Sequence, residues 1–342
     1  MTHSQPDSLF IVTDKELALI QDKYDLEQMR MMVKVSHLYH NRGMVQSEIS
    51  QTLGLSQARV SRLLSAAAEA NIIRTVVVPP IGLNTEIEDQ IEKKFGLLEV
   101  HVVDTMGGTD IERAETLGRA LGNIFIILPL KDKVIGLTSW SRSMRKFVGS
   151  LNRFPHAKAQ AVVELVGGVG EPTLQHEATN ATARLATVID AEAKFLRVPG
   201  VVSTMEMKDA ILQSDPHARL TLEAMDKLDI ALVGIGTCAF RSGRVSEGNF
   251  FSQEQFDLAK SKGAVGEVNL RFIDENGKPI KSELDDLVIG ISLDQLAKAE
   301  RRIAVSGGVE KHEITLAAIR GGWINVLITD EETAEYLISQ SI

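Results

Sequence analysis

Of the 342 residues only one, Cys238, is cysteine, and only 5% are aromatic. A lone thiol closes no internal disulfide, so nothing in the chain is stapled and a reducing compartment is expected. So few rings speak against a carbohydrate-stacking lectin and against a platform for single-stranded nucleic acid. No apolar run is long enough to span a bilayer. The polar residues 1–7 lack the basic-then-apolar pattern of a secretory leader. The expectation is therefore a cytoplasmic chain with no membrane partner. A basic surplus is missing as well, since the formal net charge is −9.

What is present is a length comfortable for two domains and an apolar fraction of 44%, ordinary for a chain with a sizeable core. The charge is unevenly divided. Between Leu26 and Val78 six basic residues (Arg30, Lys34, Arg42, Arg59, Arg62, Arg74) face three acidic ones (Glu27, Glu48, Glu69), about +3, which leaves about −12 for the remainder. A basic module on an acidic body fits a protein that presents one face to a polyanion.

Residues 1–25 carry little periodicity beyond a short amphipathic stretch, Lys15 to Asp22, and read as an arm. From Leu26 the spacing of Met29, Met32, Val33, Val35 and Leu38 predicts a helix to His40, stopped by Gly43. A second helix is expected over Val45 to Leu53 and a third from Gln57 to about Ala70. Gly54 suits the turn between them, and Ser56 suits the N-cap. This is the layout of a helix-turn-helix. Ile49, Leu53, Leu55, Val60 and Leu63 can close a small core between crossed helices. Gln57, Ala58, Arg59, Ser61 and Arg62 are left facing outward, and with Gln46 and Ser56 they form the expected DNA-facing set. Arginine can bond guanine edges or phosphates and glutamine can bond adenine. The run Ile72 to Val78 reads as a wing-like strand, and Pro79-Pro80 as a stiff exit. The domain boundary is placed there, giving an arm (1–25), a DNA-binding module (26–80) and a large second domain (81–342).

The second domain alternates helical patterns with short β-branched runs. Strands are expected at Val100–Val103, Val134–Leu137, Ala161–Leu165, Ala231–Ile235, Arg302–Val305 and Asn325–Ile328, with helices including Asn84–Phe95 and Glu112–Ile127. That alternation predicts an α/β fold with a mainly parallel sheet covered on both faces. Such sheets bind ligands at the carboxyl ends of their strands. Glycine and hydroxyl residues cluster there: Thr138-Ser139-Trp140-Ser141-Arg142, Gly167-Gly168-Val169-Gly170, Gly236-Thr237-Cys238, and Ser306-Gly307-Gly308 ahead of Lys311. Glycines permit close backbone approach, helix N-termini offer amides to an anion, and Arg142 and Lys311 can add full charge for a phosphate.

Several of these stretches, in this order, resemble the sorbitol-operon regulator (SorC-type, DeoR-like) family. They are Val45 to Leu64, Val163-Glu164-Leu165-Val166-Gly167-Gly168-Val169-Gly170, Asp229 to Gly236, Gly263-Ala264-Val265-Gly266-Glu267-Val268, Val305 to Lys311, and Asn325 to Glu331. The resemblance runs from about Leu26 to the C-terminus. It implies a Rossmann-like effector domain similar to glucosamine-6-phosphate deaminase and ribose-5-phosphate isomerase, behind a helix-turn-helix of the winged type. It implies a homodimer or homotetramer on double-stranded operator DNA, and a sugar or sugar-phosphate effector that modulates operator binding in a carbohydrate or polyol operon. The implied effector site is Thr138, Ser139, Ser141, Arg142, Gly168, Val169, Gly236, Glu267 and Lys311. Glu267 would bond ligand hydroxyls, while Lys311 and the hydroxyl loop would take the anionic end.

The main rival is a sugar-phosphate isomerase or deaminase with an appended DNA-binding module, in which Glu267, Lys311 and Asp229 would serve as acid, base and orienter. No constellation in the sequence demands catalysis. His37, His40, His101, His156, His176, His217 and His312 show no metal-ligand spacing, so neither metal nor cofactor is expected. Cys238 reads as a small packing residue.

Overall fold

Asp25 opens the first described helix through a reciprocal cap. Its carboxylate accepts the Gln28 amide at 2.8 Å, and the Gln28 side chain accepts the Asp25 amide at 3.3 Å. The computed structural model describes residues 23–73, 84–152, 154, 157–169, 172–239 and 250–341. The chain divides into two units between residues 78 and 79.

In the first unit α1 (Leu26–Ser36) widens into a π-helical turn, His37–Asn41. The expected helix thus has its predicted extent but a looser last turn. α2 (Gln46–Leu53) stops at Gly54, whose φ of +64° is open to a residue without a Cβ. α3 (Gln57–Glu69) starts at Ser56, whose Oγ accepts the Arg59 amide at 3.3 Å. Val35, Leu38, Ile49 and Val60 are buried together, with Leu53, Leu55 and Leu63 packed around them. This is the crossed-helix core that the apolar spacing predicts. The expected strand after α3 does not start at Ile72. Asn71 takes a φ of +54°, and the amides of Ile72 and Ile73 both donate to the Ala67 carbonyl, which closes the helix instead. The rest of that strand, Pro79-Pro80 and the stretch Lys15 to Asp22 lie outside the described residues.

Among the described residues of the second unit, seven strands form one sheet: β1 (Glu99–Val103), β2 (Val134–Leu137), β3 (Ala161–Glu164), β4 (Glu192–Lys194), β5 (Ile230–Val233), β9 (Arg301–Val305) and β10 (Val326–Asp330). Their order is β1-β10-β9-β5-β2-β3-β4, and every pairing is parallel. A small antiparallel sheet, β6 (Ile235–Thr237), β7 (Gly266–Val268) and β8 (Arg271–Ile273), stands beside it. The helices are α4 (Thr85–Phe95), α5 (Asp110–Phe125), α6 (Arg142–Ser150), α7 (Pro172–Val188), α8 (Met205–Ser214), α9 (Pro216–Ala224), α10 (Gln253–Ser261), α11 (Glu283–Asp286), α12 (Leu293–Lys298), α13 (His312–Arg320) and α14 (Glu331–Ser339).

The strands are apolar on both sides, as a sheet covered on both faces requires. Ile230, Leu232, Ile303, Val305, Val326 and Ile328 pack on the face of α5, α6 and α7. Ala231, Val233, Ala304 and Leu327 turn to the opposite core, with α13 and α14. The free edge of β1 is closed by side chains: Glu92 accepts the Val100 amide at 2.8 Å and Glu88 accepts the Val102 amide at 2.9 Å. Two carboxylates one helical turn apart thereby occupy donors that would otherwise invite another strand.

The single strand expected over Ala231–Ile235 is broken at Gly234, and the reason is local. The Gly234 amide donates to side-chain oxygens of Thr138 and Asn269, each at 3.0 Å, rather than to a neighbouring strand. Beyond it the chain leaves the parallel sheet and pairs with β7.

Candidate functional site

On the first unit, Ser56, Gln57, Ala58, Arg59, Ser61 and Arg62 are exposed, while Gln46 at the head of α2 is half-buried. Val60, between them in sequence, is fully buried, so α3 is anchored through one face and offers the other to solvent. Arg62 is steadied by its own helix, its Nε donating to the Ala58 carbonyl at 3.3 Å. Arg59 makes no ion pair or side-chain hydrogen bond among the described residues. The result is a firmly seated helix with two available guanidinium groups.

On the second unit, the strand order places a cleft. From β2 the chain moves outward to β3 and β4, then returns to β5 on the other side of β2 and continues to β9. The loops after β2 and β5 therefore diverge, which opens a crevice at the carboxyl ends of these strands. A cavity of about 390 Å³ lies there.

One end of the cleft is the start of α6. Ser141 caps this helix without using its side chain, and Arg142, Ser143 and Arg145 line the cavity beside it. Arg145 is tied down, donating to the Trp140 carbonyl at 2.7 Å and pairing with Glu177 at 3.2 Å. Burial lowers its pKa from the usual guanidinium value; Glu177 opposes that shift and Arg142 adds to it. Arg142 itself has no partner among the described residues. A free guanidinium beside a helix N-terminus attracts an anion.

The other end carries cations that are already engaged. Arg113 donates to Asp110 at 2.8 Å and lies 3.1 Å from the buried Asp330. Asp330 in turn accepts the amides of Gly308 and Thr333, each at 2.9 Å. Lys311 donates to the Ile235 carbonyl at 3.1 Å. Between the two ends, Glu267 sits opposite Gly236 in the β6–β7 ladder. A Cβ on Gly236 would fall 2.0 Å from Glu267 Oε1, so the glycine is what lets that carboxyl lie over the strand. Burial pushes the Glu267 pKa up to about 7, partly offset by the Leu270 amide that donates to it and by the nearby Lys311. Trp140 and Phe250, in edge contact at 5.3 Å, supply an apolar wall.

Thr138, Ser141, Arg142, Gly236, Glu267 and Lys311 thus share one cleft. Three residues expected with them do not line it. Ser139 is buried, with its carbonyl turned toward Arg145. Gly168 is bound through its backbone to Val198 and Gly200, both at 2.7 Å, and Gln175 lies against its Cα, which commits Gly168 to packing; Val169, half-buried, does not line the cleft either. Arg113, Trp140, Arg145, Phe250 and Asn269 line the cleft without having been expected there. Arg113 and Phe250 belong to stretches that no local pattern ties to the cleft; Trp140, Arg145 and Asn269 lie within three positions of Ser141, Arg142 and Glu267, but the glycine and hydroxyl signal does not extend to them. Asp229 lies at the opposite end of the sheet: it precedes β5, bonds Lys133 and the Val134 amide, each at 2.8 Å, and cannot join Glu267 and Lys311 in one constellation. Cys238 is buried, which raises its thiol to about 11 and leaves it a packing group.

Residues 80–339 match the family model described as "Putative sugar-binding domain". The sorbitol operon regulator of Klebsiella pneumoniae is 29% identical, over 91% of this chain and 98% of that one. The deoxyribonucleoside regulator of Bacillus subtilis strain 168 is also 29% identical, over 92% and 99%. Among solved structures, the full-length sorbitol operon regulator SorC from Klebsiella pneumoniae superposes with a TM-score of 0.69 at 28% identity, covering 92% of this chain and all of that one. A DeoR family transcriptional regulator from Listeria monocytogenes gives a TM-score of 0.66 at 27% identity, covering 74% and 98%.

Proposed function

The chain belongs to this sugar-binding family, and from that premise we propose that it is a transcriptional regulator of a carbohydrate or polyol operon. In this reading α3 lies in the major groove of operator DNA, with Gln57, Arg59, Ser61 and Arg62 toward the bases and Gln46 and Ser56 near the backbone. The cleft of the second unit holds a sugar or sugar-phosphate effector. Regulators among the relatives support the first half. The second half rests chiefly on Arg142, a guanidinium without a partner among the described residues, at the head of α6 and at one end of a cleft that also holds the Glu267 carboxyl. The anionic group of the effector belongs at Arg142 rather than at Lys311, whose ammonium is engaged with Ile235 and Glu267. Effector binding favours one arrangement of a homodimer or homotetramer and so alters its grip on paired half-sites.

The test is selection of random duplex DNA on the purified chain, followed by anisotropy titration of the enriched duplex with and without a panel of sugar phosphates. An enriched two-fold motif whose affinity changes with one member of the panel is expected. Absence of any enriched sequence would overturn the DNA-binding half. Turnover of a sugar phosphate with no effect on DNA would instead favour the isomerase or deaminase reading, which the remote position of Asp229 disfavours.

A further inference from the structure

Asn269 takes no part in the reading above, yet it is the most constrained polar residue in the cleft. It is 2% exposed, lines the cavity, and sits at the β7–β8 turn with a φ of +49°. Its side-chain oxygen has two fixed donors: the Thr138 hydroxyl at 2.6 Å and the Gly234 amide at 3.0 Å. A backbone N–H can only donate, so the atom facing it is Oδ1 and the amide nitrogen points the other way. That nitrogen has no hydrogen-bond partner among the described residues. A buried donor left unmade is costly, and in a native protein it calls for an explanation.

The same geometry redefines Thr138. Its hydroxyl proton goes to Asn269 and its oxygen accepts from Gly234. Thr138 is thus a positioning residue for Asn269 rather than a group free to meet a ligand. A Cβ on Gly234 would fall 2.5 Å from the Thr138 methyl, and one on Gly236 would fall 2.0 Å from Glu267 Oε1. Glycine at 234 thus makes room for the threonine that holds Asn269, and glycine at 236 makes room for the Glu267 carboxyl. Glu267 already accepts the Leu270 amide through Oε2, which leaves Oε1, lying against Gly236, as its second acceptor.

We propose that Asn269 and Glu267 together read two hydroxyl groups of a polyhydroxylated effector, Asn269 Nδ2 donating to one oxygen and Glu267 Oε1 accepting from the other. This rests on the cleft being the effector site. It assigns the hydroxyl-bearing part of the ligand to the β6–β7–β8 sheet and its anionic part to α6.

The experiment measures the melting temperature of the full chain with inorganic phosphate, D-ribose 5-phosphate, 2-deoxy-D-ribose 5-phosphate and D-glucitol 6-phosphate. It is run on the wild type, on Asn269→Asp and on Asn269→Gly. Both replacements accept the left-handed backbone, and aspartate keeps the oxygen that Thr138 and Gly234 need. At least one organic phosphate should stabilise the wild type beyond inorganic phosphate. Both variants should lose that excess, with affinity at least about tenfold weaker, and keep the response to inorganic phosphate. Variants that retain the excess overturn the role of Asn269 and leave the effector reading standing. Variants that lose the inorganic phosphate response as well show a structural role alone and also overturn it. A wild type that no organic phosphate stabilises beyond inorganic phosphate brings down the effector reading, and this inference with it.

Discussion

Replacing Glu267 by glutamine should stabilise the second unit, and by an amount that depends on pH in a defined way. The carboxyl is raised from an ordinary 4.5 to about 7, first by burial, against the pull of the Leu270 amide and Lys311. Below pH 4.5 the group is protonated in both folded and unfolded chains and contributes nothing to the difference. Between pH 4.5 and 7 the unfolded chain gives up this proton while the folded one keeps it. Stability then falls by about 1.4 kcal/mol for each pH unit. The loss totals about 3 kcal/mol by pH 8, where both states are ionised and the curve is flat again. Glutamine keeps the shape and has no proton to lose, so Glu267→Gln should match the wild type near pH 4.5 and exceed it by about 3 kcal/mol at pH 8. For a domain of this size that is roughly 6–12 °C in melting temperature. Both tryptophans, Trp140 and Trp323, lie in the second unit, so their fluorescence follows its unfolding alone. Stability curves of variant and wild type that run parallel from pH 4.5 to 8 would refute the reasoning. Lys311→Met should carry the wild-type loss to still higher pH, because the ammonium now favours the ionised carboxylate.

Other outcomes follow from single contacts. Arg142→Ala should weaken binding of a phosphorylated effector by about tenfold or more, as expected for loss of one charge-assisted bond. It should leave DNA affinity in the absence of effector unchanged; titration calorimetry and anisotropy check the two separately. Ile49→Ala empties a fully buried site in a small core. It should cost the first unit about 2–5 kcal/mol, abolishing DNA binding while the effector-induced thermal shift of the second unit persists. Replacing Glu88 and Glu92 together by alanine uncovers two amides on the edge of β1. It should cost about 1 kcal/mol for each bond and promote concentration-dependent self-association, read by light scattering; a variant that stays as dispersed as the wild type would count against edge protection.

Much of this protein is written locally. Ser56, Gly54 and the apolar spacing from Ile49 to Leu63 define the helix-turn-helix without outside help, because caps, turns and helical stripes depend on residues within a few positions of each other. The β-branched runs at Val134–Leu137 and Ala161–Leu165 likewise mark buried parallel strands, since both their faces meet helices. Arg142 stands out because glycine and hydroxyl residues cluster at strand ends, whereas Glu267 is marked only by the family resemblance of the stretch Gly263 to Val268. What the sequence alone does not contain is the order of the strands. That order puts the loops after β2, β5 and β9 around one crevice and sends Asp229 to the far end of the sheet. Only the folded chain shows that Thr138 serves Asn269, which lies 131 positions away, or that Gly168 is consumed by packing against Gly200. It also shows that Arg113 and Lys311 are engaged while Arg142 is not. Local patterning determines which elements form and which side they bury; hydrogen-bond partners and unspent charge are set by long-range neighbours, and those exist only once the sheet has assembled.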